Sequence, residues 1–287
     1  MAREHNPKSL KKALFIILIF MVPGMLFADL GPKPSVNVDI VGLETGRECW
    51  ATLISETSTT GPASAWDGKE ENAYYNEGQE EIWRAYTEYE DTDGYYFLQW
   101  IWDVSELHSF TWGYYPPENF KVLLYFPDTE EFRVSGILSR YAFDSYFDLD
   151  VDEMEVRRTY DWAGEMLSLI LRIIITIAIE LMIALLFGYR QKSQMTFLAC
   201  VNIISQIMLN LALTLINYSY GAWTFFWWYL MLEFFVFALE AALYVFWLPK
   251  WSRGDMKKGK AIIYSLVANG VSFGAGFLIF QLVPGIF

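Results

Sequence analysis

Apolar and polar residues alternate in short bursts between about residues 35 and 152, whereas beyond about 163 the apolar residues run in long blocks. Alternation with a period of two marks half-buried strands, because successive side chains point to opposite faces. On this basis SVNVDIVGL (35–43), CWATLISE (49–56), YYFLQWIWDV (95–104), SFTWGYY (109–115), FKVLLYF (120–126), FRVSGIL (132–138) and YFDLDVD (146–152) read as strands. Turn chemistry separates them in GPASAWDG (61–68), DTDG (91–94), PPEN (116–119) and PDTEE (127–131). EEIWRAYTEYED (80–91) breaks the alternation, with Ile82, Trp83, Tyr86 and Tyr89 close to one helical face. Short strands with a single helix among them predict an immunoglobulin-like β-sandwich with one inserted helix.

The later blocks, about 165–188, 196–217, 222–248 and 261–283, each reach the ~20 apolar residues a spanning helix needs. The expected architecture is therefore α+β and multi-domain: an extracytoplasmic β-domain over 29–162, then a four-helix transmembrane bundle over 163–287. The connection 188–195 contains Arg190 and Lys192, and 249–260 contains five basic residues, while NYSYGA (217–222) has none. The excess of Lys and Arg in cytoplasmic loops puts both basic connections inside and residues 29–162 outside. Trp223, Trp227 and Trp228 would then belt the outer interface, with Trp247 and Trp251 at the inner one. The first 28 residues give the same orientation. Arg3, Lys8, Lys11 and Lys12 precede an apolar run at 13–27 that is short for a span, and this reads as a signal peptide ending at Ala28. An uncleaved anchor is the alternative. The expected location is the plasma membrane, multi-pass.

Charge sharpens the division. Residues 29–165 carry 29 acidic and 9 basic side chains, a net of −20, whereas residues 166–287 carry 4 and 8, a net of +4. So acidic a domain repels nucleic acid and anionic lipid, and leaves cations, basic peptides or plain solubility as explanations.

Polar residues inside the apolar blocks are costly there and need a partner or a purpose. The first block carries Arg172 and Glu180, the second Asn202, Gln206 and Asn210, the third Glu233 and Glu240, the fourth Ser265, Asn269 and Ser272. Spacings of three, four, seven and eight put each set on one stripe. Counted from the cytoplasmic ends, Glu180, Asn202, Glu240 and Asn269 fall at roughly 9–12 Å depth, and Arg172, Asn210 and Glu233 at roughly 21–24 Å. The candidate sites are thus an inner polar layer (Glu180, Asn202, Gln206, Glu240, Asn269) and an outer ion pair of Arg172 with Glu233 beside Asn210. The inner carboxylates could share protons or hold a cation. The plainer reading of the set is interhelical hydrogen-bond glue, helped by Gly270-x-x-x-Gly274 packing, with a site for a lipid or a partner helix as a third.

Other chemistry is thin. Asp148, Asp150 and Asp152 share a strand face, but a calcium loop counted from Asp148 would need Gly and Glu where Glu153 and Thr159 stand. A solvated face opposite Phe147, Leu149 and Val151 is the plainer reading, and DTDG reads as a tight turn. Trp50, Trp66, Trp83, Trp100, Trp102 and Trp112 supply sandwich core or, alternatively, a groove for a glycan or peptide. His108 is the only histidine beyond the signal peptide, and no hydrolase, zinc-protease or phosphate-loop motif is present. Cys49 and Cys200 fall in different compartments and build neither a disulfide nor a metal site. No catalytic residue, cofactor or metal is expected, and a non-enzymatic role is favoured.

ADLGPKPSV (28–36), YYPPENFKVLLYFP (114–127), IELMIALLFGYR (179–190), LEFFVFALEA (232–241) and VANGVSFGAG (267–276) resemble a family of uncharacterised bacterial membrane proteins, mostly Gram-positive. The resemblance implies the topology above and no activity. The functional expectation is an external ligand- or partner-binding β-domain on a membrane anchor, an accessory or sensor component of a cell-envelope complex. The expected partners are the lipid bilayer and a membrane protein, not nucleic acid. The alternative is a small ion- or proton-coupled transporter using Glu180 and Glu240.

Overall fold

The computed structural model describes residues 33–251 and 257–282, so the expected signal peptide lies outside the described residues. A mixed fold results: a β-rich region of curled sheets, then long helices. The described strands are β1 (Ser35–Val41), β2 (Trp50–Ser55), β3 (Thr59–Thr60), β4 (Ala63–Ser64), β5 (Tyr96–Phe97), β6 (Trp102–Asp103), β7 (Ser109–Trp112), β8 (Asn119–Phe126), β9 (Glu131–Val134), β10 (Leu138–Ser139), β11 (Asp144–Asp150) and β12 (Val156–Arg158). One sheet runs β12-β11-β1-β7; a second runs β10-β8-β2-β5, with β6 also on β2 and β9 also on β8. Pairing is antiparallel except between β1 and β11, which run parallel with Val38 opposite Phe147.

Alternation explains the first sheet. Val36, Val38 and Ile40 of β1 join Phe147 and Leu149 of β11 in a core that also takes Ala51, Leu53, Val122 and Leu124 from the second sheet. β2 and β8 are buried along nearly their whole length because the second sheet is covered on both faces. Its far face packs Trp50, Ile54, Leu123 and Tyr125 against α1 (Glu80–Glu88), which buries Ile82, Trp83 and Tyr86.

Two expected strands are split. The 95–104 run breaks at Gln99, whose φ of 66° leaves extended geometry. Its buried amide accepts from Tyr74 N–H and donates to Ser64 O, both at 3.0 Å, satisfying two backbone polar groups. The 132–138 run is divided between β9 and β10. β12 is an added edge strand, its register setting Arg157 opposite Asp148.

Three helices follow: α2 (Trp162–Leu186), α3 (Lys192–Trp247) and α4 (Lys258–Leu282). Asp161 starts α2 by accepting Gly164 N–H at 2.9 Å. α2 and the stretch Lys192–Trp251 are long and apolar enough to cross a membrane. α3 is two helices joined at Gly221, whose φ of 78° and ψ of 174° are non-helical. The halves double back on each other, since residues 202, 205 and 209–213 meet 244, 240 and 236 in reverse order. The turn sits against the β-region. Phe143 N–H donates to Tyr218 O at 2.9 Å, and Tyr141, Tyr160 and Trp162 surround the Tyr218 ring.

Candidate functional site

The helices bury polar side chains and leave many large apolar ones exposed. Glu180, Asn202 and Glu240 are fully buried, with Gln206, Asn210 and Asn269 nearly so, while Met182, Ile204, Met208, Phe234, Phe235, Ile263 and Leu266 are exposed. A helix pack in water shows the reverse.

Glu240 is the hub. The Ser205 hydroxyl donates to its Oε1, and Asn269 Nδ2 donates to its Oε2 at 2.9 Å. One carboxylate therefore ties both halves of α3 to α4. Asn202, one turn before Ser205, donates to Tyr244 OH at 3.1 Å and to Leu198 O at 3.0 Å. Glu180 of α2 accepts from the Ser272 hydroxyl at 3.3 Å, and its backbone carbonyl accepts from Tyr264 OH at 3.3 Å. Glu180 Oε2 and Asn202 Oδ1 are buried acceptors with no hydrogen-bond partner among the described residues.

Arg172, Asn210 and Glu233 come together around a cavity of about 20 Å³, whose lining includes Tyr229 and Ser272. That space holds about one water molecule. Gln206 lines it too, so it belongs with this second level; its Oε1 and backbone carbonyl both accept from Asn210 Nδ2. The Gly270 and Gly274 packing expectation is corrected: a Cβ at either would meet nothing within 4 Å. The buried stripe of α4 instead runs through Ala261, Tyr264, Ser265, Ala268 and Asn269. Sequence reasoning missed Ser205, Tyr244 and Tyr264. The available signal was position, since Tyr244 stands four residues beyond Glu240 and Ser205 three beyond Asn202, each on the same helical face.

The β-region holds a larger opening, a groove of about 390 Å³ beside α1 and β5. Trp66, Tyr86, Tyr89, Tyr95, Tyr96 and Phe97 line it, together with Thr87, Glu90 and Asp91. Tyr86 stacks on Phe97 with centroids 5.1 Å apart, which fixes the floor. Asp91 is the first residue of DTDG. Its carboxylate accepts Asp93 N–H at 2.9 Å to make the turn and Lys121 Nζ at 2.8 Å across the sheet. Lys121 also reaches Asp93 at 2.6 Å and lies 4.9 Å from the centre of the Tyr95 ring.

The remaining candidates stay apart. Asp148 and Asp150 are half-buried and Asp152 exposed, over buried Phe147, Leu149 and Val151. Among the described residues no group of three or more His, Cys, Asp or Glu side chains could hold a metal. His108 contributes its carbonyl, which accepts Ile40 N–H at 2.7 Å. Comparison of the chain with protein-family models, with curated proteins and with solved structures gives no match.

Proposed function

We propose that the chain is a multi-pass plasma-membrane protein whose β-domain, residues 29–162, lies outside the cytoplasm and binds a ligand or partner. Residues 162–186, 192–220, 222–247 and 258–282 are then four spans, and the anchored domain serves as an accessory or sensor component of a cell-envelope complex. Exposed apolar and buried polar residues on the helices support the spans. The observation that carries the binding role is a contrast of size. The groove beside α1 offers about 390 Å³, a volume typical of ligand sites, whereas the cavity among the helices offers about 20 Å³.

Two measurements test this reading. In a Cys200→Ser background, a membrane-impermeant thiol reagent should label Glu77→Cys in intact cells and label Lys192→Cys only after lysis. Equal labelling of both in intact cells overturns the topology. Affinity purification from native membranes should then recover a partner or ligand that Tyr96→Ala loses. Identical recovery by both proteins overturns the binding role of the groove.

The unpartnered Glu180 Oε2 and Asn202 Oδ1 favour a second reading, in which the inner layer takes up a proton or small cation. A proton on Glu180 would turn a buried acceptor into a donor. Glu180→Gln and Glu240→Gln that both fold and retain full function would sink that reading.

A further inference from the structure

We infer that the aromatic groove beside α1 and β5 receives a basic peptide segment of a partner, with a lysine or arginine side chain lying against its tyrosine faces. The inference rests on the binding role proposed above and names the chemistry of what is bound.

Three observations converge. First, the lining is aromatic: Trp66, Tyr89, Tyr95 and Tyr96 stand around the opening, and Tyr96 is 46 % exposed. The negative face of an aromatic ring attracts a cation within about 6 Å, more strongly once water is displaced. Tyr95 already does this within the chain, holding Lys121 Nζ 4.9 Å from its ring centre.

Second, the local charge is negative and unspent. Lys121 is already matched by Asp91 at 2.8 Å and over-matched by Asp93 at 2.6 Å. Glu90 stands exposed at the rim, and α1 next to it carries Glu81 and Glu88. Arg84 does not offset this face, because it is engaged by Glu80 at 2.8 Å and Glu70 at 3.3 Å. An anion would be repelled, and a basic segment would be steered in by the whole acidic domain.

Third, the ionised groups of the lining are both acceptors, the Glu90 and Asp91 carboxylates, and they stand among the aromatic rings. A cation on an aliphatic stem needs aromatic rings and one or two carboxylates.

The test uses the full chain in phosphatidylcholine nanodiscs and a short lysine–glycine peptide, with binding read by calorimetry at fixed salt. Native protein should bind it. Tyr96→Ala should weaken binding roughly three- to tenfold, Tyr96→Phe should restore it, and Glu90→Gln should weaken it by more than Glu153→Gln, a control that removes the same charge from the other sheet. Equal loss in Glu90→Gln and Glu153→Gln, with no loss in Tyr96→Ala, means diffuse attraction and overturns the inference. Binding of a neutral disaccharide that is lost in Tyr96→Ala, without peptide binding, overturns the cationic ligand and leaves the binding role standing. If neither probe binds the native protein the inference fails, while the partner recovery described above judges the binding role separately.

Discussion

The ring of Phe143 occupies the place where a side chain on Gly221 would stand. A Cβ built there would lie 2.5 Å from two ring atoms of Phe143. Gly221 also has φ 78° and ψ 174°, a conformation almost confined to glycine. Two separate penalties therefore meet in Gly221→Ala, about 1–3 kcal/mol of backbone strain and about 1–3 kcal/mol of overpacking. Phe143→Ala removes the second penalty only. Thermal unfolding in detergent should show Gly221→Ala as strongly destabilised and its cost reduced by about 1–3 kcal/mol in the Phe143→Ala background. Strict additivity would mean that the Phe143 ring does not oppose a side chain at position 221.

Glu240 should be more sensitive to shape than to charge. Its two oxygens accept from Ser205 and Asn269, which belong to different helices. Each interhelical hydrogen bond in this setting contributes about 0.6 kcal/mol, up to about 1.7. Glu240→Leu removes both acceptors and strands two buried donors, for a loss of about 1–3 kcal/mol. Glu240→Gln keeps one acceptor and adds a donor that a rotated Ser205 hydroxyl can accept. The thermal midpoint should fall further for Leu than for Gln, and adding Asn269→Leu to Glu240→Leu should recover part of the loss.

These two sites differ in how far the sequence discloses them. A glutamate in an apolar block is conspicuous, so the polar stripes were legible from residue type and spacing alone. The hydroxyls that complete them were not, because Tyr244 and Tyr264 read as apolar bulk and Ser205 is common in any helix. The turn between the halves of α3 was expected as a six-residue loop at 217–222; helix persists to its edge because one glycine supplies the whole reversal. Likewise the runs at β1, β2 and β8 declared themselves as strands, but pairing β1 beside β11 joins residues more than a hundred positions apart and leaves no local mark. Aromatic density announced a core. Which rings were left over to line a groove depended on where α1 packs.

Cys49 should be chemically silent in the native protein. It is fully buried, and burial pushes its thiol up to about 12 despite the nearby Arg47 guanidinium. In a Cys200→Ser variant, an aqueous disulfide reagent at pH 8 should titrate no thiol until denaturant is added and then a single one. Rapid reaction under native conditions would show that the edge of β2 opens readily.

The Lys121–Asp91 pair gives the β-region a calculable response to pH. Burial alone would raise the Asp91 carboxyl, but hydrogen bonds from Lys121 and from the N–H groups of Tyr95 and Asp93 outweigh it and hold the group below its usual value. For Lys121, burial would lower the ammonium and the bonds to Asp91 and Asp93 hold it above its usual value. A depressed carboxylate stabilises the fold above its unfolded value, about 3.9, and that contribution is lost as pH falls through the folded one. A raised lysine stabilises below about 10.4 and loses its contribution as pH rises through the folded value. The pair therefore acts at full strength between about pH 4 and pH 10. Lys121→Met leaves the Asp91 side chain, 0 % exposed, as an uncompensated charge at a cost of about 3–5 kcal/mol. Adding Asp91→Asn should recover most of that loss at pH 7, and the Lys121→Met penalty should shrink as pH falls and Asp91 takes up a proton. Unfolding midpoints of the three proteins from pH 3 to pH 8 measure this, and a penalty independent of pH would show that the lysine matters for its stem and not for its charge.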